Sequence, residues 1–106
     1  MTDQEFRRHV ADALNTLFDQ VDELDSDDHD PTLSDGVLKV EFESGRTFVL
    51  SQQVPVQELW LSALLKAWHF KFVDDQWLER DTGEPMLPLL DKLFSDELGL
   101  DVRLRL

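Results

Sequence analysis

The sequence contains no cysteine, only four glycines, and no apolar run that approaches the roughly 18 residues of a membrane-spanning helix. Without cysteine, the chain has no disulfide, no thiolate metal ligand and no cysteine nucleophile. The four glycines are scattered, so no glycine-rich loop is available to bind a nucleotide phosphate. The segment Met1–Glu5 resembles neither a signal peptide nor a transit peptide, and we therefore expect a cytoplasmic protein.

Positive charge is also scarce. The 106 residues include 23 acidic and 10 basic side chains, which give a formal net charge of −13. This charge repels nucleic-acid phosphates and anionic lipid headgroups, so we expect neither nucleic acid nor membrane as a partner. Cations and basic protein surfaces are the natural ligands. A hydrophobic content of 42% is sufficient for one core, and we predict a single domain over residues 1–106.

The negative charge is concentrated in the first 45 residues, which hold thirteen acids and three bases. Seven of these acids lie in a stretch without Lys or Arg, and we call them the acidic ridge: Asp19, Asp22, Glu23, Asp25, Asp27, Asp28 and Asp30. Exposed charges are usually only solvated. Here, however, like charges near the C-terminus of a predicted helix are destabilising. The pattern therefore favours a surface that binds a cationic ligand.

Hydrophobic periodicity predicts a helix over Asp3–Leu24 and a second helix over Met86–Leu98. Alternating residues predict strands, which we place at Val37–Glu43, Arg46–Leu50, Val56–Ser62, His69–Phe72 and Gln76–Arg80. The segment between Leu24 and Val37 is predicted to be a loop, and the tail Leu100–Leu106 to be extended and packed on the body. The predicted class is α+β, an α-β sandwich in which two helices cover one face of an antiparallel sheet of five or more strands.

One tryptophan falls on the polar face of a predicted strand. Leu59 and Leu61 share one face of that strand, while Glu58 and Trp60 share the other. Aromatic residues on polar surfaces are enriched at protein interfaces, so a docking role is one of two equal interpretations of Trp60. The alternative is that Trp60 simply packs on neighbours such as Trp68 or Lys71.

No catalytic constellation is evident, and we predict that the chain is not an enzyme. The three histidines, His9, His29 and His69, are far apart and lie in no nucleophile motif. Exposed carboxylates instead suit weak binding of hard or borderline cations such as iron, manganese, calcium or magnesium. The same surface would steer a basic protein. Glu41 and Glu43 would join it if their strand lies at that edge of the sheet.

The order of these features resembles the frataxin family, and more narrowly its bacterial branch, the CyaY proteins. The resemblance covers essentially the whole chain, and its most specific motif is the run Gln53-Val-Pro-Val-Gln-Glu-Leu-Trp-Leu-Ser62. It implies a frataxin-like α-β sandwich and a role in iron binding and iron–sulfur cluster assembly, as an iron donor or as a regulator. It implies weakly bound Fe²⁺ or Fe³⁺ without an organic cofactor, and a monomer that can form oligomers with iron.

The resemblance also implies roles for particular residues. Iron would bind at all seven carboxylates of the acidic ridge. Partner binding to the cysteine desulfurase and the assembly scaffold would involve Asp19, Asp22, Glu23, Glu41, Glu43, Gln53 and Trp60. The sequence departs from the family pattern at Phe18, Ser51 and Glu58, and Ala63–Ala67 lacks the expected glycine-rich turn. The alternatives are a metal-independent acidic module for a basic partner and, third, ferroxidase activity at the ridge.

Overall fold

The first helix is defined by its N-terminal cap. In the computed structural model, which describes residues 1–106, helix α1 spans Asp3–Asp22. The Glu5 backbone N–H donates to Thr2 Oγ1 (3.1 Å) and the Thr2 N–H donates to Glu5 Oε1 (3.0 Å), which completes a capping box. Its buried stripe faces the sheet and contains Phe6, Val10, Ala13, Leu14, Leu17 and Val21. The helix ends two residues before the predicted Leu24, with Glu23 as its C-cap.

Six antiparallel strands form one sheet in simple sequence order, which confirms the predicted α+β class. The strands are β1 (His29–Ser34), β2 (Val37–Phe42), β3 (Thr47–Gln53), β4 (Glu58–Ala63), β5 (Lys66–Val73) and β6 (Gln76–Glu79). A 3-10 turn at Val54–Val56 joins β3 to β4, and helix α2 spans Met86–Leu98. Both helices pack on one side of the sheet. Neither of them combines the length and apolarity that a membrane crossing requires.

Strand β1 corrects the prediction of a loop between Leu24 and Val37. It is an edge strand whose residue Asp30 pairs with Glu41 of β2, so Asp30 belongs to the sheet and not to a loop. His29 faces α1, where its Nε2 atom lies 2.7 Å from the Val21 carbonyl oxygen. Pro31 is tolerated because an edge strand has unpaired backbone positions. Pairing with β2 therefore stabilises a strand that local apolar alternation does not reveal.

The core fills the space between the helices and one face of the sheet, and it contains 22 buried hydrophobic residues. Phe48 packs edge-on against Phe42 and Phe94, with ring centroids 4.6 and 5.2 Å apart. The C-terminal tail packs on this core as predicted, because Val102 and Leu104 are both buried. The opposite face of the sheet carries no helix, and we call it the open face. No helix therefore covers the side chains of the open face.

Candidate metal-binding and docking surfaces

The acidic ridge surrounds the C-terminal end of α1 and the connection to β1. Asp19 and Asp22 lie on α1, Glu23 caps it, and Asp30 lies in β1. The other three members occupy the connection, and all seven side chains are exposed. None of the seven forms a salt bridge, and the last turn of α1 contains no basic residue. The negative charge of the ridge is thus uncompensated within the chain.

The two strand acids lie beside the ridge in different ways. Glu43 follows β2, and its backbone N–H donates to the Asp28 carbonyl oxygen (2.9 Å). A hydrogen bond between the two carboxyl groups and their mutual repulsion raise the pKa of Glu43 above its ordinary value. Glu41 lies on the open face directly across from Asp30 and is paired with Lys39 (3.2 Å). A bound cation would relieve the Asp28–Glu43 repulsion, whereas Glu41 already has a cationic partner.

A shallow opening extends from the ridge towards the end of α2. Asp28, Glu43, Ser44 and Glu97 line this opening. Glu97 is not available there as an unpaired ligand, because it accepts hydrogen bonds from Ser44 Oγ (2.6 Å) and Arg46 Nη1 (3.0 Å). Asp28 and Glu43 are therefore the carboxylates of this opening that a cation can use.

On the open face, Trp60 is fixed by the buried carboxylate of Glu58. The Trp60 Nε1–H donates to Glu58 Oε1 (2.9 Å), and Arg80 Nη1 donates to the same oxygen (3.2 Å). Lys71 Nζ lies 3.3 Å from the second oxygen. Burial alone would raise the pKa of Glu58, but the Trp60 hydrogen bond and the two cations outweigh it, so the pKa is lowered. Glu58 is thus a satisfied buried anion that orients the indole.

The aromatic neighbour of Trp60 is His69 and not Trp68, as the sequence had suggested. Its ring stands edge-on to His69, with centroids 4.9 Å apart and an interplanar angle of 85°. Trp68 pairs with the buried Leu61, so it lies on the helix-covered face and does not contact the open face. Lys71 binds the carboxylate of Glu58. Trp60 remains partly exposed, and the hydrogen bond to Glu58 holds its indole on the open face.

Gln53 shares the open face with Trp60. In the sheet register Gln53 lies opposite Glu58, and Ser51 lies opposite Trp60. The Gln53 Nε2 donates to Ser51 Oγ (3.3 Å), so both polar side chains form a row beside the indole. The structure therefore brings Gln53 and Trp60 together on one face, while the ridge reaches that face only at its β1 edge, through Asp30.

A second group of potential metal ligands lies at the end of β6. Ligand atoms of His69, Glu79 and Asp81 lie within 4.8 Å of one another. Glu79 is buried, and its carboxylate accepts the backbone N–H groups of His69 (2.8 Å), Asp81 (2.8 Å) and Thr82 (3.3 Å). The His69 bond in particular lowers the pKa of Glu79. This carboxylate therefore holds the β6 end in place, and its oxygens are already engaged.

The network around Glu58, which positions Trp60, was not predicted from the sequence, although Lys71 was expected near the indole. Alternation along β4 placed Glu58 and Trp60 on one face, which was the only available signal. Lys71 lies on β5 and Arg80 follows β6, so only the strand register brings them to Glu58.

The comparisons with known proteins identify the family. The model of the frataxin-like domain matches residues 1–100. The chain belongs to the frataxin family. Frataxins are non-enzymatic iron-binding proteins that are connected with iron–sulfur cluster assembly.

Solved frataxin structures share this fold. The bacterial frataxin from Psychromonas ingrahamii, of the CyaY protein family, is 21% identical, with a TM-score of 0.89 and 97% of each chain covered. Trimeric yeast frataxin from Saccharomyces cerevisiae with its full-length N-terminus is 25% identical, with a TM-score of 0.77, and 87% of this chain and 80% of that chain are covered. The same yeast protein complexed with ferrous iron is 26% identical, with a TM-score of 0.76 and 87% of each chain covered.

Proposed function

We propose that this frataxin binds iron weakly through its acidic ridge and regulates, or supplies iron to, iron–sulfur cluster assembly. We further propose that the ridge docks on the cysteine desulfurase. The observation that carries the proposal is the set of seven exposed carboxylates without a single cationic partner in the chain. Such charge costs stability unless a ligand compensates it.

The chemistry of the ridge supports iron as the cation. Carboxylate oxygens are suitable ligands for Fe²⁺ and Fe³⁺, and exposed side chains on a helix end and a loop bind such ions weakly. The adjacent carboxyl groups of Asp28 and Glu43 provide two oxygen donors whose repulsion a cation would relieve. The yeast frataxin complexed with ferrous iron, at 26% identity, supports the same assignment. No organic cofactor is part of the proposal.

The same charge supports docking on a basic protein. Unpaired surface carboxylates attract cationic side chains and accelerate association with them. The open face provides a second contact, and we propose that Trp60 and Gln53 bind the assembly scaffold. Orientation of the indole by Glu58 reduces the entropy that Trp60 would otherwise lose on binding. The proposed setting is a monomer in the cytoplasm that can form oligomers with iron.

Charge reversal on the ridge tests the docking proposal. The double variant Asp22→Lys/Glu23→Lys should weaken desulfurase binding at least about tenfold, because two attractions become repulsions. The matched control Asp12→Lys/Glu84→Lys makes the same change in net charge with exposed acids outside the ridge, and it should retain most of the affinity. Isothermal titration gives the affinities, and circular dichroism checks the fold. Equal losses in both variants would contradict a specific ridge site.

Iron dependence separates the proposal from the alternative, an acidic protein-interaction module that needs no metal. Binding of the desulfurase should be measured anaerobically with and without ferrous iron, at two salt concentrations. The proposal predicts that ferrous iron changes the affinity and that Asp22→Lys/Glu23→Lys removes this change. Affinity that responds to salt but not to iron would favour the alternative.

A further inference from the structure

Three hairpin turns of the sheet have two residues each, and in all three both residues have positive φ. The turns are Asp35–Gly36 (50° and 75°), Leu64–Leu65 (53° and 63°) and Asp74–Asp75 (50° and 63°). Positive φ at both central positions matches the twist of antiparallel strands and is normally provided by Gly, Asn or Asp. Two of the turns follow this rule. The turn between β4 and β5 is the exception, because it uses two leucines.

Neither backbone preference nor packing explains these leucines. The Cβ atom clashes with the backbone in the left-handed region. Glycine lacks this atom and aspartate compensates through local hydrogen bonds of its side chain, whereas leucine can do neither. Leu64 is 46% exposed and Leu65 is fully exposed, so neither side chain contributes to the core. Residues held in a disfavoured conformation without a packing benefit are concentrated at functional sites. The pair therefore has the properties of a binding element that the fold presents to solvent.

The position of the turn connects it to both surfaces described above. In the antiparallel register, the end of β4 and the start of β5 lie at the same end of the sheet as residues 43–46 and the start of β1. His29, at the start of β1, contacts Val21 in the last turn of α1, so the acidic ridge lies at this end as well. Trp60 lies on β4, four residues before Leu64. The turn thus shares its end of the molecule with the ridge and its strand with Trp60.

We propose that Leu64 and Leu65 insert into an apolar pocket on the basic protein that binds the acidic ridge. The inference rests on the proposed function and specifies the chemistry of its partner, which is an apolar pocket beside cationic side chains. The net charge of −13 selects this occupant. Without bound iron, a second copy of the chain would be repelled by its own negative charge, and an anionic membrane would repel the chain as well. A basic protein surface is attracted instead.

Replacement of the turn tests this inference, because it separates stability from binding. The variant Leu64→Asn/Leu65→Gly installs the residues that this turn geometry favours. Relief of the disfavoured conformation should raise Tm by roughly 4–8 °C. The variant also removes two leucine side chains that the complex would bury, which should weaken desulfurase binding at least about tenfold. The control Val56→Ser removes an apolar side chain with the same 46% exposure as Leu64, and it should leave the affinity unchanged.

The outcomes distinguish this inference from the proposed function. If Asp22→Lys/Glu23→Lys abolishes binding but the turn variant binds normally, the inference is overturned and the proposed function stands. If neither variant changes the affinity, both fail. A Tm that does not rise would overturn the claim that the leucines are held at a conformational cost. Two other results would identify a different occupant and overturn the inference. One is concentration-dependent oligomerisation that only the turn variant loses. The other is binding to anionic lipid vesicles that only the turn variant loses.

Discussion

Two regions of this molecule place carboxylates in opposite environments, one buried and hydrogen-bonded and the other exposed and unpaired. At the sheet, Glu58 and Glu79 are buried, and each accepts several hydrogen bonds from within the chain. In the acidic ridge, seven carboxylates are exposed and have no cationic partner. The buried carboxylates therefore maintain the fold, while the ridge carboxylates remain available for a ligand. Negative charge alone does not distinguish these roles, but the partners of each carboxylate do.

The largest expected effect comes from Glu79→Ala. This substitution leaves three partly buried backbone N–H groups without their acceptor, so the free energy of unfolding should fall by about 3 kcal/mol. Urea unfolding measures the change, and Glu84→Ala, which truncates an exposed glutamate, should change stability by less than about 0.5 kcal/mol. Similar losses of unfolding free energy in the two variants would show that buried carboxylates stabilise the fold no more than exposed ones.

Glu58→Ala should destabilise the protein by about 1–2 kcal/mol, because it removes the Trp60 hydrogen bond and the anion that pairs with Lys71 and Arg80. Glu58→Gln keeps an acceptor for the indole and should cost less. The indole N–H resonance of Trp60 in NMR spectra reports the hydrogen bond directly. A resonance that is unchanged in Glu58→Ala would show that Glu58 does not orient Trp60.

Acid should reduce stability through the buried carboxylates. The folded state lowers the pKa of Glu58 and Glu79, so each stabilises the protein above its unfolded pKa of about 4.3, and this contribution is lost as pH falls through the lower folded pKa. Glu43 has a raised pKa, so its protonation on acidification relieves repulsion and acts in the opposite direction. Urea unfolding between pH 7 and 3 should show a shallower decline for Glu79→Gln and a steeper one for Glu43→Gln. The reverse order would contradict these assignments.

The smallest expected effect has the opposite sign. Asp22→Asn/Glu23→Gln removes two negative charges from the C-terminus of α1, where the helix dipole disfavours them, and should raise stability by up to about 1 kcal/mol at low salt. The gain should disappear at 1 M salt, where such interactions are screened. Destabilisation by this variant would mean that the ridge has cationic partners within the chain.

Most of the fold could be predicted from the sequence, because strong hydrophobic periodicity marks both helices and the five strands β2 to β6. Strand β1 could not, since Leu33 is its only large aliphatic residue and its stability comes from pairing with β2. The acidic ridge could be predicted because all of its residues lie within the short segment 19–30. The Glu58 network was not, because Lys71 and Arg80 reach it only through the register of other strands.

An anaerobic titration with ferrous iron, followed amide by amide in NMR spectra, tests the central claim most directly. The account predicts selective paramagnetic broadening over residues 19–30 and at Glu43, with Glu58 and Trp60 unaffected. The Asp22→Lys/Glu23→Lys variant should show much weaker broadening in the same region. Broadening confined to His69, Glu79 and Asp81, or no selective broadening at physiological salt, would contradict the assignment of the acidic ridge as the iron-binding surface.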